Sequence, residues 1–282
     1  MNNVTAMRRE TPPEVEELEL ELLLEALFQR YGYDFRGHQR AALKRKLRAV
    51  MQQRSLRTLS ALQGQVLHDP GAASAVLRAL HVPPAAMFDD VEESLQLRQL
   101  AGACLRGAAL PKIWLADCAG AEQAWTLAVI LAEEGLLAHT ELHCTVASDE
   151  LLAESLDASF PISHLAEYQA SYQRSGGAGQ LANFFHTTGQ RATLLPQLRS
   201  RISWAQYNLV TDASFNEFNL VVCRRALPDF GPLLRQRVLH LFHASLAPFG
   251  VLGLDRQLDE CEKLAAFYQT MLPLQPWYKR IA

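Results

Sequence analysis

The fold is decided by residues 112–122, which read KIWLADCAGAE. The first five form a short apolar run of strand type, small residues follow, and an apolar helical pattern occupies residues 124–137. A strand, a tight turn and a helix in this order are typical of an α/β unit. In such a unit the turn lies at the carboxyl end of a parallel strand, where ligands bind.

Strand and helix signals of the same kind recur farther along the chain. The predicted strands are residues 142–147, 220–223 and 251–254, and the predicted helices between them are residues 151–160 and 232–246. Strands that alternate with helices of this length predict a mainly parallel sheet with right-handed crossovers. Residues 160–204 are less regular and fit either a small inserted subdomain or a long excursion of the chain.

The N-terminal part has the pattern of an all-α domain, with four helices predicted from apolar residues at helical spacing. The first would start at Pro12 and Pro13, and the second covers about residues 39–53. The inward positions are Leu20, Leu24, Leu27 and Tyr31; Leu43, Leu47 and Val50; Leu59, Leu62 and Val66; and residues 73–80. Pro83 and Pro84 end this unit. The predicted domains are therefore residues 14–85 and 86–282.

Composition narrows the class of protein. The chain has 282 residues, of which 49% are hydrophobic and 20% charged, and these values predict a globular fold. It contains no apolar run long enough to span a bilayer and no signal-peptide core, so we expect a cytoplasmic protein without membrane insertion. A net charge of −3 argues against nucleic-acid binding. Widely spaced cysteines and histidines predict no metal site.

Charge is distributed unevenly along the first domain. Seven acids and no base lie between Glu10 and Glu25, whereas nine bases face a single acid between Arg30 and Arg57. Four of the bases recur every fourth residue and form what we call the basic ridge: Arg36, Arg40, Lys44 and Arg48. The ridge is either a solvated face or a docking surface, because charges of one sign repel one another unless a partner neutralises them.

Candidate ligand-binding residues follow the predicted strands. The small residues Ala119 and Gly120 would let a nucleoside approach the backbone, and Asp149 after the second strand can accept both ribose hydroxyls. Small loops followed by acids also occur as plain structural turns. An alternative role for Asp149 is to cap the helix that follows it.

The sequence resembles the CheR family, the S-adenosylmethionine-dependent enzymes that methylate glutamate side chains of chemoreceptors. The resemblance runs from about Glu17 to the C-terminus and is carried by residues 28–35 (FQRYGYDF), 216–224 (NEFNLVVCR) and 236–243 (QRVLHLFH). It implies an N-terminal helical domain joined to a Rossmann-like methyltransferase domain.

The resemblance also implies a cofactor and a partner. S-adenosyl-L-methionine would be held at the positions that match the family's motifs: Ala119, Gly120, Glu122, Asp149, Asn208, Leu209 and Arg224. The basic ridge would dock on the acidic methylation helices of a chemoreceptor, or on another signalling protein. Asn208 has the alternative role of holding a turn.

Several positions depart from the family's motifs. Where the family has S-x-T-x-F-F-R-D, residues 83–90 read PPAAMFDD, so Asp89 replaces an arginine that lies by the reacting carboxylate. Where it has C-R-N-V-x-I-Y-F, residues 223–230 read CRRALPDF, so Asp229 replaces a tyrosine near the transferred methyl group. An acid at position 89 would repel a glutamate substrate. Asp117 and Phe249 stand where the family has glycines, and side chains there can fill the cofactor volume.

Methyl transfer to a carboxylate depends mostly on positioning and charge placement. Each lost positioning group could remove about 2–4 kcal/mol of transition-state stabilisation. We therefore predict a CheR-like signalling protein with impaired or lost methyl transfer, which acts through a protein partner or an altered ligand. Its catalytic residues are unknown, because Asp89 and Asp229 occupy the family's positions. The alternative is an active protein-glutamate O-methyltransferase whose departures are compensated.

Overall fold

The computed structural model describes residues 14–259 and 264–281. They form two compact units that divide between Leu80 and His81, slightly before the predicted boundary. The segment after His81 belongs to the second unit, since the backbone N–H of Ala85 donates to the carbonyl oxygen of Ala119 over 2.8 Å. The predictions made for Glu10, Pro12, Pro13 and Cys261 lie outside the described residues.

The first unit is a helical bundle. Its helices are α1 (Val15–Tyr31), α2 (Arg40–Gln53), α3 (Leu59–His68) and α4 (Pro70–Leu80). Gly32 ends α1 in the left-handed conformation with φ of 79°, and the Oγ1 atom of Thr58 caps α3 by accepting from the N–H of Ala61. The predicted inward leucines are buried in one core, so the apolar spacing correctly identified the packed faces.

The second unit alternates helices and strands. Its helices are α5 (Val91–Leu105), α6 (Ala121–Glu133), α7 (Asp149–Leu156), α8 (His164–Arg174), α9 (Pro196–Arg199) and α10 (Pro232–Ser245). Its strands are β1 (Lys112–Leu115), β2 (Glu141–Val146), β3 (Phe160–Pro161), β4 (Phe185–Thr188), β5 (Arg191–Leu194), β6 (Ile202–Gln206), β7 (Phe218–Cys223), β8 (Leu246–Leu254), β9 (Tyr268–Thr270) and β10 (Trp277–Arg280).

The main sheet has the order β6-β2-β1-β7-β8-β10-β9. The strands from β6 to β8 are parallel, whereas β10 and β9 add at the far side as an antiparallel pair. After β1 the chain builds outward through β2 to β6 and then returns to place β7 on the other side of β1. The sheet therefore has its topological switch point between β1 and β7, and the predicted Rossmann-like fold is confirmed.

Alternate side chains of β1 enter two different cores. Trp114 is fully buried on the face covered by α10, where its ring lies 5.4 Å from that of Phe242 and its indole N–H donates to Thr145 over 2.9 Å. Ile113 and Leu115 point to the opposite face, where α5 and α6 pack. Because both faces of β1 are packed, the strand is held rigidly and the loop after it starts from a fixed position.

An antiparallel sheet of order β3-β5-β4 and helix α8 lie between α7 and the return to the main sheet. The ring of Phe160 in β3 lies 5.1 Å from that of Tyr168 in α8 and 6.0 Å from that of Trp125 in α6. The insert ends before β6, which pairs with β2 as the outer parallel strand, so the predicted range of 160–204 includes the start of that strand. Among the helices described, none is long and apolar enough to cross a bilayer.

Candidate active site

A charged cleft lies at the carboxyl edge of the sheet, beside the switch point. It has a volume of about 600 Å³ and takes residues from the start of α5, the ends of β7 and β8, and α8. The lining residues are Asp89, Asp90, Val91, Glu93, Arg174, Arg224, Arg225, Pro228 and Asp255. Acids and arginines are interspersed along its walls, which makes the cleft strongly polar but locally balanced in charge.

Asp89 forms an ion pair with Arg225, with 2.6 Å between its Oδ1 atom and the Nη2 atom of the arginine. The preceding segment is fixed, because the N–H of Phe88 donates to the Oγ1 atom of Thr126 over 3.0 Å. The structure corrects the expected repulsion at position 89. Arg225 stands where the family motif has asparagine, and its charge neutralises the acid that replaces the family's arginine.

Arg224 is held by a network that joins β7, α5 and β10. Its Nη1 atom donates to the Oε1 atom of Gln96 over 3.1 Å, and its guanidinium lies 5.7 Å from the ring centre of Trp277. The indole N–H of Trp277 donates to the same Gln96 oxygen over 2.6 Å. These contacts give Arg224 a structural role at the cleft wall.

Arg235 and Asp255 form a second pair at the end of β8, with 2.7 Å between the Nη1 and Oδ1 atoms. The two side chains are only 4% and 9% exposed, which makes this a buried ion pair. It ties α10 to the carboxyl end of β8 and fixes the position of the Asp255 carboxylate in the cleft wall.

The loop after β1 contains two residues with positive φ, one of which, Asp117, stands at a glycine position of the family's motif. Asp117 has φ of 50° and Gly120 has φ of 91°, so both lie in the left-handed region. The N–H of Cys118 donates to the carbonyl of Thr145 over 2.7 Å, and that of Ala119 donates to the Oε1 atom of Gln123 over 2.8 Å. A Cβ atom on Gly120 would meet nothing within 4 Å, so the loop leaves open space beside that residue.

Glu122 turns away from the loop towards the insert. Its Oε1 atom accepts a hydrogen bond of 3.1 Å from the hydroxyl of Tyr168, which lies 3.4 Å from the Nδ1 atom of His164. Burial raises the pKa of Glu122, and the Tyr168 hydrogen bond opposes that shift. An acid predicted to bind a cofactor is therefore engaged by α8.

The end of β2 offers an unengaged carboxylate. Ser148 is the N-cap of α7, because its Oγ atom accepts from the N–H of Leu151 over 3.3 Å. The alternative role of Asp149 as the cap is therefore wrong. Asp149 is exposed as the first residue of α7, and no hydrogen bond or ion pair engages its carboxylate within the described part of the chain.

Asn208 holds a turn, which is the alternative role that the sequence left open. Its Oδ1 atom accepts from the N–H of Val210 over 2.9 Å, and its own N–H donates to Asp212 over 2.9 Å. Leu209 is buried, with 4% of its surface exposed. These two residues shape the segment that follows β6.

The remaining departures lie in different places. Asp229 ends a short 3₁₀ turn, Leu227–Asp229, beside the cleft. Phe249 lies near the amino end of β8 and is 68% exposed, with its ring centre 5.6 Å from the Nζ atom of Lys279. The expected obstruction of the cofactor volume by Phe249 is wrong, because strand pairing directs residue 249 to the opposite end of the sheet from Asp117.

In the first unit, the acids of α1 neutralise the basic ridge. The ion pairs are Arg36–Glu25 (3.0 Å), Arg40–Glu21 (3.6 Å), Lys44–Glu16 (3.1 Å), Lys44–Glu17 and Arg48–Glu16 (2.7 Å). Hydrogen bonds from Arg48 and Lys44 lower the pKa of Glu16. The inference that an external partner must neutralise the ridge is therefore corrected, since α1 supplies the opposite charges.

Two models of a known protein family match this chain. The model of the CheR methyltransferase all-alpha domain matches residues 18–81, and that of the CheR methyltransferase SAM-binding domain matches residues 85–264. A putative methyltransferase Cher3 of Pseudomonas putida is 34% identical over 245 residues, which cover 86% of this chain and 90% of that protein. The chain belongs to the CheR methyltransferase family.

Other relatives in the family are more distant. Chemotaxis protein methyltransferase 1 of Pseudomonas aeruginosa is 28% identical over 147 residues, and a chemotaxis protein methyltransferase of Listeria innocua is 24% identical over 141 residues. The alignments cover 51% and 50% of this chain, and 53% and 51% of those two proteins. This chain thus aligns with about half the length of either relative.

The structure also identifies site residues that the motif matches did not single out. Arg225 and Gln96 fix Asp89 and Arg224, and Tyr168 engages Glu122. Arg225 carried a visible signal, because it departs from the asparagine of the CheR motif next to a retained arginine. Tyr168 and Gln96 carried no such signal, since their contacts depend on tertiary packing.

Glu93 gives a testable pH dependence at this CheR-type cleft. Burial raises the pKa of Glu93, while the charge of Arg224 opposes the shift. An acid whose pKa is raised by folding binds more protons in the native state, so stability falls as the pH rises through about 4.3. Glu93→Gln should therefore increase the free energy of unfolding at pH 7 and leave it unchanged below pH ~4. Urea unfolding at both pH values measures this, and a variant less stable at pH 7 would contradict it.

Proposed function

We propose that the protein is a CheR-type signalling protein in which methyl transfer is impaired or lost, and which acts by binding a protein partner or an altered ligand. The observation that carries this proposal is the 2.6 Å ion pair between Asp89 and Arg225. Methyl transfer to a carboxylate depends on cationic and polar groups that position it. In this cleft the charge of Arg225 is neutralised by Asp89, which occupies the position of the family's arginine.

The two ends of the cofactor region differ in how well they fit S-adenosylmethionine, which supplies an electrophilic methyl group when it is bound. The adenosine end fits, because Asp149 is exposed and unengaged after β2 and the backbone beside Gly120 faces open space. The methionine end fits poorly, because two of its groups are already hydrogen-bonded within the protein. The N–H of Ala119 donates to Gln123, and the carboxylate of Glu122 accepts from Tyr168. An adenosine-containing ligand without a tightly held methionine group is therefore the better match.

Calorimetry with S-adenosylmethionine and S-adenosylhomocysteine tests this ligand preference. We expect both compounds to bind weakly. We also expect that replacing S-adenosylmethionine by adenosine costs this protein less affinity than it costs a family member with intact motifs. Asp149→Asn should weaken whatever binding is measured by about tenfold, since it removes a charged acceptor for the ribose hydroxyls. Tight binding that Asp149→Asn leaves unchanged would contradict the proposed orientation.

The partner is proposed to be a chemoreceptor or another signalling protein that meets the basic ridge. Because α1 already pairs with the ridge, an acidic partner helix has to compete with Glu16 and Glu21 for its side chains. Exposed ion pairs are each worth about 0–1 kcal/mol, so such competition is energetically feasible.

Charge reversal tests the docking surface. The double variant Lys44→Glu and Arg48→Glu should weaken binding to a receptor signalling fragment by at least about tenfold at low salt. The matched control is Arg57→Glu, an exposed base of the same domain outside the ridge, which should bind like the unmodified protein. Equal binding by the double variant, with its helical circular dichroism intact, would reject the ridge as the docking surface.

The alternative is an active protein-glutamate O-methyltransferase. Two observations favour it: Asp117 adopts the positive φ that a glycine position allows, and the exposed Phe249 leaves the cofactor volume free. Turnover with S-adenosylmethionine and receptor-containing membranes separates the two functions.

A further inference from the structure

A second cavity lies on the other side of the insert, away from the charged cleft. It has a volume of about 390 Å³ and is enclosed by α6, the end of α7, α9 and the first half of β6. The main lining residues are Trp125, Leu156, Pro196, Arg199, Ile202 and Trp204. Ile202 begins β6 and Leu156 ends α7, so the cavity lies towards the amino edge of the sheet, opposite the candidate active site.

The walls of this cavity are mostly apolar and aromatic. Trp125 is 3% exposed and packs against the rings of Phe160 and Phe185 at 6.0 and 5.9 Å. Trp204 is half-buried, and within residues 14–259 and 264–281 neither a ring contact nor a hydrogen bond engages its indole. Trp125 lines the cavity but is almost wholly buried, so Trp204 provides the accessible indole for a ring-shaped ligand.

The polar side-chain groups of the cavity are the Arg199 guanidinium, the Trp204 indole N–H and two serine hydroxyls, of Ser155 and Ser200, which donate to backbone carbonyls. Arg199 is exposed, and its guanidinium makes a single hydrogen bond within the described part of the chain, 3.3 Å to the carbonyl oxygen of Leu156. Most of its five N–H donors, and the indole N–H of Trp204, are thus available to a ligand. None of the lining side chains in the described ranges is acidic. This charge pattern favours an anionic group.

We propose that this cavity binds a small aromatic carboxylate, with the ring against Trp204 and the carboxylate at Arg199. The volume lies at the small end of the ~300–1,000 Å³ range of ligand pockets, which suits a single ring system with a short acidic side chain. Stacking on tryptophan and a charge-assisted hydrogen bond from arginine together give both affinity and orientation.

The position of the cavity links its occupant to the cofactor loop. Trp125 lies one turn after Glu122 on α6 and packs against the ring of Phe160. The ring of Phe160 in turn lies 5.1 Å from that of Tyr168. The hydroxyl of Tyr168 in turn donates to Glu122. The wall of the cavity that Trp125 contributes therefore belongs to the aromatic cluster that holds Glu122, although ligand binding itself does not require methyl transfer.

Paired ligands test the proposal directly. Phenylacetate and its neutral analogue 2-phenylethanol are titrated into the full chain, with tryptophan fluorescence and calorimetry as readouts. We expect saturable binding of phenylacetate that is about tenfold tighter than that of 2-phenylethanol, since only the acid can pair with Arg199. No saturation by phenylacetate at about 10 mM, or equal affinity for the two compounds, would overturn the proposal.

Three variants assign the binding to this cavity. Arg199→Gln should remove the tenfold preference for phenylacetate and leave 2-phenylethanol unaffected, whereas Trp204→Leu should weaken both compounds. The matched control is Arg201→Gln, an exposed arginine two positions away that does not line the cavity. Binding that Arg199→Gln leaves unchanged, or that Arg201→Gln reduces equally, would show that phenylacetate binds elsewhere.

Discussion

The triple variant Asp89→Arg, Arg225→Asn and Asp229→Tyr is expected to transfer methyl groups at least about 100-fold faster than the unmodified protein. It returns the family's residues to three positions in or beside the cleft. It also breaks the ion pair in which Asp89 and Arg225 now neutralise each other. All three changes are needed together, because an arginine introduced at position 89 alone would face Arg225 at close range. The measurement is the initial rate of labelled methyl transfer from S-adenosylmethionine to receptor-containing membranes.

Two controls make this result interpretable. Asp89→Arg alone should gain much less than the triple variant, since like charges would repel in the cleft. Asp157→Arg changes an exposed acid at the end of α7, outside the cleft, and should leave the rate unchanged. A folded triple variant that binds S-adenosylmethionine but transfers no faster than the unmodified protein would contradict the assignment of these positions.

Asp255→Ala is expected to lower the free energy of unfolding by about 3–5 kcal/mol. The substitution leaves Arg235 charged in a site where only 4% of its side chain is exposed. Removing one member of a buried ion pair costs far more than the loss of an exposed ion pair. Urea unfolding, with the midpoint and slope of the transition, measures the loss.

The double variant Arg235→Met and Asp255→Leu distinguishes charge compensation from packing. It removes both charges and keeps apolar volume, so we expect it to be markedly more stable than Asp255→Ala. A double variant as unstable as the single one would mean that packing at the end of β8, and not the broken ion pair, accounts for the loss.

Periodicity in the sequence was enough to predict the main elements, because apolar spacing reports which face of a helix or strand is buried. No helix was predicted at residues 91–105, although Asp90, Glu93 and the buried Leu97 and Leu100 carry the signal of a capped amphipathic helix. The strand predicted at residues 251–254 starts earlier in the structure, at Leu246. This first part of β8 is irregular, because the register with β7 shifts between the Phe218–Leu246 and Leu220–Val251 pairs.

Sequence patterns predicted ligand-binding residues at the carboxyl ends of the strands, but they could not predict which side chains pair with one another. Motif matches gave the sign of each charge along the chain, and the sheet topology brings Asp89 and Arg225 to one cleft. The sequence could not indicate that these two residues pair across 136 positions, nor that the acids of α1 cover Lys44 and Arg48. Such pairs are set by tertiary packing, which local patterns do not encode.

The near-neutral net charge of −3 is thus the sum of several local balances. The acids of α1 offset the ridge of α2, Arg225 offsets Asp89, and Arg235 offsets Asp255. Because Arg225 is paired with Asp89, it is less suited to orienting a free carboxylate.

The most direct test of impaired methyl transfer is the incorporation of labelled methyl groups from S-adenosylmethionine into receptor-containing membranes by the unmodified protein. Chemotaxis protein methyltransferase 1 of Pseudomonas aeruginosa serves as the comparison, with each protein assayed on membranes from its own source. We predict incorporation no greater than that of membranes without added protein. Base-labile incorporation at a rate similar to that of the comparison protein would contradict the proposed loss of methyl transfer and establish the active enzyme.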